Sequence, residues 1–136
     1  MNCAQYEKTI KDLERENERP YEKLRVWKEA DLFTKDVFSF SSKWPKQHLY
    51  TLGTQIQRSA LSVTLNIVEG NARFSRKDYR HFLIQSRGSL AETGYLVKLA
   101  YHLHLLPQDH YIILLKRYRF LSYLLQQLIN SLMTTP

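Results

Sequence analysis

A chain of 136 residues is long enough for one domain with a real core and too short for two. Four glycines and four prolines are too few for a sandwich or barrel built on many tight turns, and the single cysteine, Cys3, excludes an internal disulfide. The net charge of +7 is one-sided: residues 1–36 hold eight Lys/Arg against nine Asp/Glu, whereas residues 37–136 hold twelve against four.

A field of this sign favours anionic partners, nucleic acid first among them, the plain alternative being a basic surface that only aids solubility. No apolar run approaches the roughly 20 residues that span a bilayer, and the N-terminus is polar, so a cytoplasmic chain without a membrane partner is expected.

Residues 1–20 mix charges, as in EKTIKDLERENERP, and offer few apolar anchors. They read as a polar N-terminal extension, helical but frayed, that ends at Pro20. Residues 21–136 read as one all-α domain. Its first helix, over 21–42, repeats Val26, Ala30, Phe33, Val37 and Phe40 at four-three spacing, and Trp44-Pro45 ends it. The second, from Tyr50 to about Val68, carries an apolar stripe of Leu52, Ile56, Ala60, Val63 and Ile67. Beside it runs a polar row, Gln55, Ser59, Ser62, Asn66 and Glu69, suited to close approach and hydrogen bonding between helices, with a solvated face as the alternative. Gly70-Asn71 is the expected stop.

The third helix opens on Ser75 as cap, with Asp78 facing the helix dipole, and runs to about Leu105. Its seam is Phe82, Ser86, Ser89, Thr93, Leu96, Ala100 and Leu103. Gly88 inside it costs about 1 kcal/mol relative to Ala, which implies that another backbone passes close by. The fourth helix, from Asp109 to Met133, has the seam Tyr111, Leu114, Tyr118, Leu121, Leu125, Leu128 and Leu132, widened by Ile112, Leu115, Leu124 and Ile129. Four helices with short connections make an antiparallel up-down four-helix bundle the expected architecture. Within it Gln55, Arg58, Ser62, Asn66, Glu69, Gly70, Gly88, Ser89 and Glu92 form a structural polar motif, in which Asn66 and Glu69 are expected to tie helix ends together.

Catalytic constellations are absent from the pattern. The five histidines have no metal spacing, no glycine loop cradles phosphate, no cofactor motif occurs, and Cys3 in a polar tail is a poor nucleophile. Glu69 and Glu92 could pair as acid and base across two helices, but a structural salt bridge, with Arg58 for example, is the stronger reading. The chain therefore reads as no enzyme. The basic residues are more informative. At 100° per residue Arg76, Arg80, Arg87 and Lys98 fall within about 40° of one another along about 33 Å of the third helix. Arg73 and Lys77 add charge at its start, and such a stripe suits phosphates. Leu83 and Leu90 at its edge point to a second possibility, contact with another subunit. In KRYRF, residues 116–120, Tyr118 belongs to the buried seam while Lys116, Arg117 and Arg119 can extend the positive surface.

Three ordered motifs carry a family resemblance: Pro45, Tyr50, Leu52, Gln55 and Arg58; then Ser62, Asn66, Ile67, Glu69, Gly70 and Arg73; then GSLAET from Gly88 to Thr93. Over residues 24–133 the chain resembles the four-helix bundle proteins encoded in intervening sequences of bacterial 23S ribosomal RNA genes, relatives of the accessory variability determinants of diversity-generating retroelements. The resemblance implies a homopentameric ring of bundles. For the retroelement proteins it further implies a positive barrel that binds nucleic acid, RNA or DNA, and a reverse transcriptase. His48 stands where the family usually has an acidic residue, and Ser59 and Val68 where it has alanine. The expected function is a non-enzymatic basic oligomer that binds nucleic acid; the alternative is a scaffold whose partner is a protein.

Overall fold

Every regular element among the described residues is helical. The computed structural model describes residues 1–133; the last three residues of the expected 21–136 domain lie outside the described residues. Helix α1 (Cys3–Glu16) starts on a capping box, Asn2 Oδ1 accepting from the Gln5 amide and Gln5 Oε1 from the Asn2 amide, and it buries no residue. A 3-10 turn at Pro20–Lys23 delays α2 to Arg25–Ser41.

The second predicted helix starts earlier than Tyr50. Pro45 stands at the N-cap of a short helix, α3 (Lys46–His48), which passes through a π-helical turn (Leu49–Gly53) into α4 (Thr54–Asn71). Helices α5 (Arg76–His102) and α6 (Gln108–Ser131) complete the chain. Helix α5 ends where His104 takes the left-handed conformation, φ 61°, and the His104 and Leu105 amides donate back to the Tyr101 and Ala100 carbonyls, both at 2.9 Å. These are the two bonds of a Schellman ending, here without the usual glycine.

Helix α2 packs on α4 and α6, and α5 packs on the same two, so the four long helices close a ring around one core. Contacts climb α5 as they descend α6: Arg76 reaches Ser131, Arg87 reaches Gln126, and Tyr101 stacks on Tyr111 with ring centres 4.1 Å apart. Phe33 of α2, Ile67 of α4, Leu83 and Leu90 of α5, and Leu121 and Leu125 of α6 are fully buried. Trp44 Nε1 donates to the Leu105 carbonyl at 3.0 Å, pinning the α2–α3 corner to the α5–α6 connection.

The closed ring corrects several expectations. Leu83 and Leu90 are core residues rather than the rim of a subunit contact, because α6 covers the side of α5 that a helix wheel leaves open. Phe82 is only half buried and Leu103 is exposed. Gly70-Asn71 is not a stop. α4 runs through both and is capped at Ala72 with φ −79°. Gly70 is buried instead, and a Cβ there would meet Tyr79 O at 3.1 Å and Phe82 Cβ at 3.0 Å, so its small size lets α5 approach. Gly88 faces open space. No backbone passes close to it; the crowded glycine of α5 is Gly94, where a Cβ would lie 2.5 Å from the Tyr118 side-chain ring.

Candidate nucleic-acid interface

The polar row of α4 meets α5. Gln55 Nε2 donates to Glu92 Oε1 at 2.6 Å, Ser62 Oγ lies 2.8 Å from Ser89 Oγ, and Ser86 Oγ donates to the Val63 carbonyl at 2.7 Å. Thr93 Oγ1 lies 2.8 Å from both Ser59 Oγ and the Ser89 carbonyl oxygen. Asn66 Nδ2 donates to the Ser62 carbonyl and hydroxyl, at 2.8 and 3.1 Å, and so steadies Ser62 from within α4. Glu69 does not join helix ends: it is an exposed carboxylate paired with Arg73 one turn on. Arg58 is exposed and has no ion-pair partner among the described residues. The Glu69–Glu92 pairing considered for acid–base chemistry thus finds both carboxylates engaged separately, one with Arg73 and the other with Gln55. Among the described residues no three His, Cys, Asp or Glu side chains cluster as metal ligands.

The cations divide into two sets. One set holds the fold together. Arg76 Nη2 donates to the Ser131 carbonyl at 2.8 Å and Arg80 Nη1 to the Leu132 carbonyl at 3.2 Å, so both cap the C-terminus of α6, where positive charge opposes the helix dipole. Arg87 Nη1 donates to Gln126 Oε1 at 3.0 Å. Arg73 lies over the Phe82 ring, 4.6 Å from its centre, as well as against Glu69. Arg117, expected on the positive surface, is tied to Asp36 of α2 and half buried. The second set is uncommitted: Lys77 and Lys98 on α5, and Lys116 and Arg119 on α6, are exposed with no hydrogen bond or ion pair among the described residues.

Bonds to carbonyls and amides orient Arg76, Arg80 and Arg87 without neutralising them. With α5 and α6 side by side, these three, Lys98 and Arg119 therefore line one face. Of the three acids of the two helices, Glu92 and Asp78 are turned from this face and Asp109 stands at its end, about 15 Å along α6 from Arg119. Glu92 is bonded to α4, Asp109 sits in the first turn of α6, and Asp78 lies about 160° round α5 from Arg80. Tyr123 and the half-buried Phe120 stand beside Lys116 and Arg119, lining with them a groove of about 310 Å³.

A family model of 23S rRNA-intervening sequence proteins matches residues 22–127, from the 3-10 turn into the sixth helix. The chain belongs to that family. Its fold is also that of a crystal structure from Bacteroides thetaiotaomicron, a protein of unknown function from the S23 ribosomal protein family: TM-score 0.68 at 21% identity, covering 80% of this chain and 99% of that one. No curated protein matches the chain. The intervening-sequence family match starts at residue 22, after α1.

Within this family member, pattern reading missed the Gly94–Tyr118 contact, the Arg25 guanidinium 4.8 Å over the Phe120 ring, and the Thr34 hydroxyl 2.9 Å from that of Thr64 between α2 and α4. The first had a signal in the glycine following Thr93. The others join residues of unrelated helices and leave none in a linear pattern.

Proposed function

We propose that this intervening-sequence family protein is an antiparallel up-down four-helix bundle that acts without catalysis, as a cytoplasmic homo-oligomer binding nucleic acid through its α5–α6 face. The carrying observation is that face itself, where Arg76, Arg80, Arg87, Lys98 and Arg119 stand together while Glu92 is turned to α4 and Asp78 lies on the far side of α5. Fixed guanidinium groups and mobile ammonium groups on one surface, with a tyrosine at its border, suit a phosphate backbone and an unstacked base better than they suit an acidic protein. A pentamer would repeat this face around a ring. A reverse transcriptase that shares the bound nucleic acid is then the fitting protein partner, in line with the resemblance to retroelement accessory proteins.

The test is binding of a structured RNA hairpin and a DNA duplex across a salt series. The variant is Lys98→Ala/Lys116→Ala/Arg119→Ala, because Arg76 and Arg80 also serve the fold. Affinity should fall linearly with log salt, and the triple variant should flatten the slope by about 2, at roughly 0.7–0.9 per lost phosphate contact, with unchanged thermal stability. Equal affinity and slope for wild type and variant would remove the assignment. Sedimentation of the wild-type protein reads the oligomer independently.

A further inference from the structure

Helix α1 is amphipathic in an unusual way for a helix with nothing on it. At 100° per residue Tyr6, Ile10 and Leu13 fall within about 60° of one another, and they are 54%, 53% and 52% exposed. Glu7 and Glu14 flank this stripe on one side and Glu16 on the other. Lys8, Lys11 and Arg15 occupy the opposite face, where Arg15 pairs with Asp12. The stripe is thus an apolar strip with an acidic rim, on a helix whose start is secured by a full capping box.

The bundle carries a surface of the complementary kind. A depression of about 300 Å³ between α2 and α6 is lined by Leu24, Arg25, Val26, Leu124, Gln127 and Leu128, and another of about 310 Å³ on the outer surface of α6 is lined by Lys116, Arg119, Phe120 and Tyr123. Arg25 over the Phe120 ring joins them. Their floor is apolar, their charges are Arg25, Lys116 and Arg119, and no carboxylate lines either. The groove lining follows α6 from Lys116 to Leu128, about 18 Å, long enough for the roughly 10 Å stripe from Tyr6 to Leu13. In its own molecule α1 does not use it. Its Glu14 lies by the outer face of α2, near Lys35, whose ammonium is held above its ordinary pKa first by the hydrogen bond and charge of Asp31 and then by Glu14.

We propose that α1 of one copy docks its Tyr6–Ile10–Leu13 stripe into the α2–α6 groove of a second copy, with Glu7, Glu14 and Glu16 against Arg25, Lys116 and Arg119. The occupant is chosen by charge: a helix with acid-rimmed apolar residues matches a base-rimmed apolar groove, and both stand on this chain. This deepens the self-association proposed above and rests on it, while adding an arm outside the region shared with the family.

Molar mass and dissociation constant by light scattering and sedimentation test it on the full chain. Because Lys116 and Arg119 border both faces, mass rather than nucleic-acid affinity is read. Glu7→Lys/Glu14→Lys and Ile10→Ser/Leu13→Ser should each weaken association at least tenfold, as should Arg25→Glu/Lys116→Glu in the groove. Combining Glu7→Lys/Glu14→Lys with Arg25→Glu/Lys116→Glu should restore it. An equimolar mixture of the Ile10→Ser/Leu13→Ser protein with the groove variant should form a mixed species that neither forms alone, since one supplies a groove and the other an arm. All substituted side chains are exposed or at the groove rim, and circular dichroism checks folding. An oligomer whose mass and affinity survive the arm variants overturns this inference alone, and so does a mixture that stays unassociated. A wild-type monomer up to about 100 μM overturns the self-association itself.

Discussion

Two glycines of α5, six residues apart, have opposite environments. Gly94 is closed over by the Tyr118 ring, at 2.5 Å from where a Cβ would stand, whereas nothing lies within 4 Å of the same position on Gly88. Gly94→Ala must push a half-buried ring out of the α5–α6 contact and should cost about 1–3 kcal/mol, the range for overpacking. Gly88→Ala should stabilise by up to about 1 kcal/mol, because it only restricts the unfolded chain in an open helical position. Paired thermal melts of the two variants separate them by sign, and a destabilising Gly88→Ala would contradict the open position. The third special residue is His104, which holds φ 61° without being glycine. His104→Gly removes the steric cost of the left-handed region at a Schellman ending and should raise stability by about 1 kcal/mol. Chemical denaturation would show it as a higher midpoint at constant slope.

At the scale of elements, the arginines of α5 and the polar row of α4 do different work from what a helix wheel suggests. Arg76 and Arg80 hold the last carbonyls of α6. Arg76→Ala/Arg80→Ala should therefore fray the final turn of α6, at about 0.5–1 kcal/mol for each lost capping cation, seen as faster amide exchange confined to that turn. Unchanged protection there would show the contacts to be idle. Between α4 and α5 the row of small hydroxyls lets two backbones approach while satisfying each other's polar groups. Thr93→Val keeps the shape, removes the hydroxyl that Ser59 faces in a fully buried position, and should cost about 1–2 kcal/mol. Glu69→Ala, by contrast, breaks one exposed pair along a single helix and should change stability by no more than about 0.5 kcal/mol. A loss above about 2 kcal/mol would restore Glu69 to the inter-helix role expected from its place in the row.

At the scale of the whole molecule, charge is segregated by face rather than by residue count. Helix α1 carries acids beside its apolar stripe, and the α5–α6 side carries Arg76, Arg80, Arg87, Lys98 and Arg119, with Glu92 and Asp78 turned from it. Ionic strength should then act on both proposed contacts in the same direction, weakening arm docking and nucleic-acid binding together. Titrating salt while following mass and RNA affinity in one preparation tests this, and an association that strengthens with salt would mark it as purely apolar.

The existence and order of the four long helices, the burial of Val26, Ala30, Phe33 and Val37, of Ile56, Ala60, Val63 and Ile67, and the excess of positive charge after residue 36 were all legible in the chain. Each depends on spacing within one helix or on a sum, and both are local. Helix ends read less well. The glycine at 70 looked like a stop and is a packing position, while the left-handed stop fell to a histidine, because a Cβ can be excluded either by backbone torsion or by a neighbouring helix, and only the neighbour distinguishes them. The basic stripe divided for the same reason. Arg76 and Arg80 differ from Lys98 only by what stands more than fifty residues away in the chain, the open end of α6. Sequence by itself determined which residues are apolar, small or charged on each helix; closure of the ring decided which neighbour covers each face, and therefore which cations are spent on the fold and which are left for a partner.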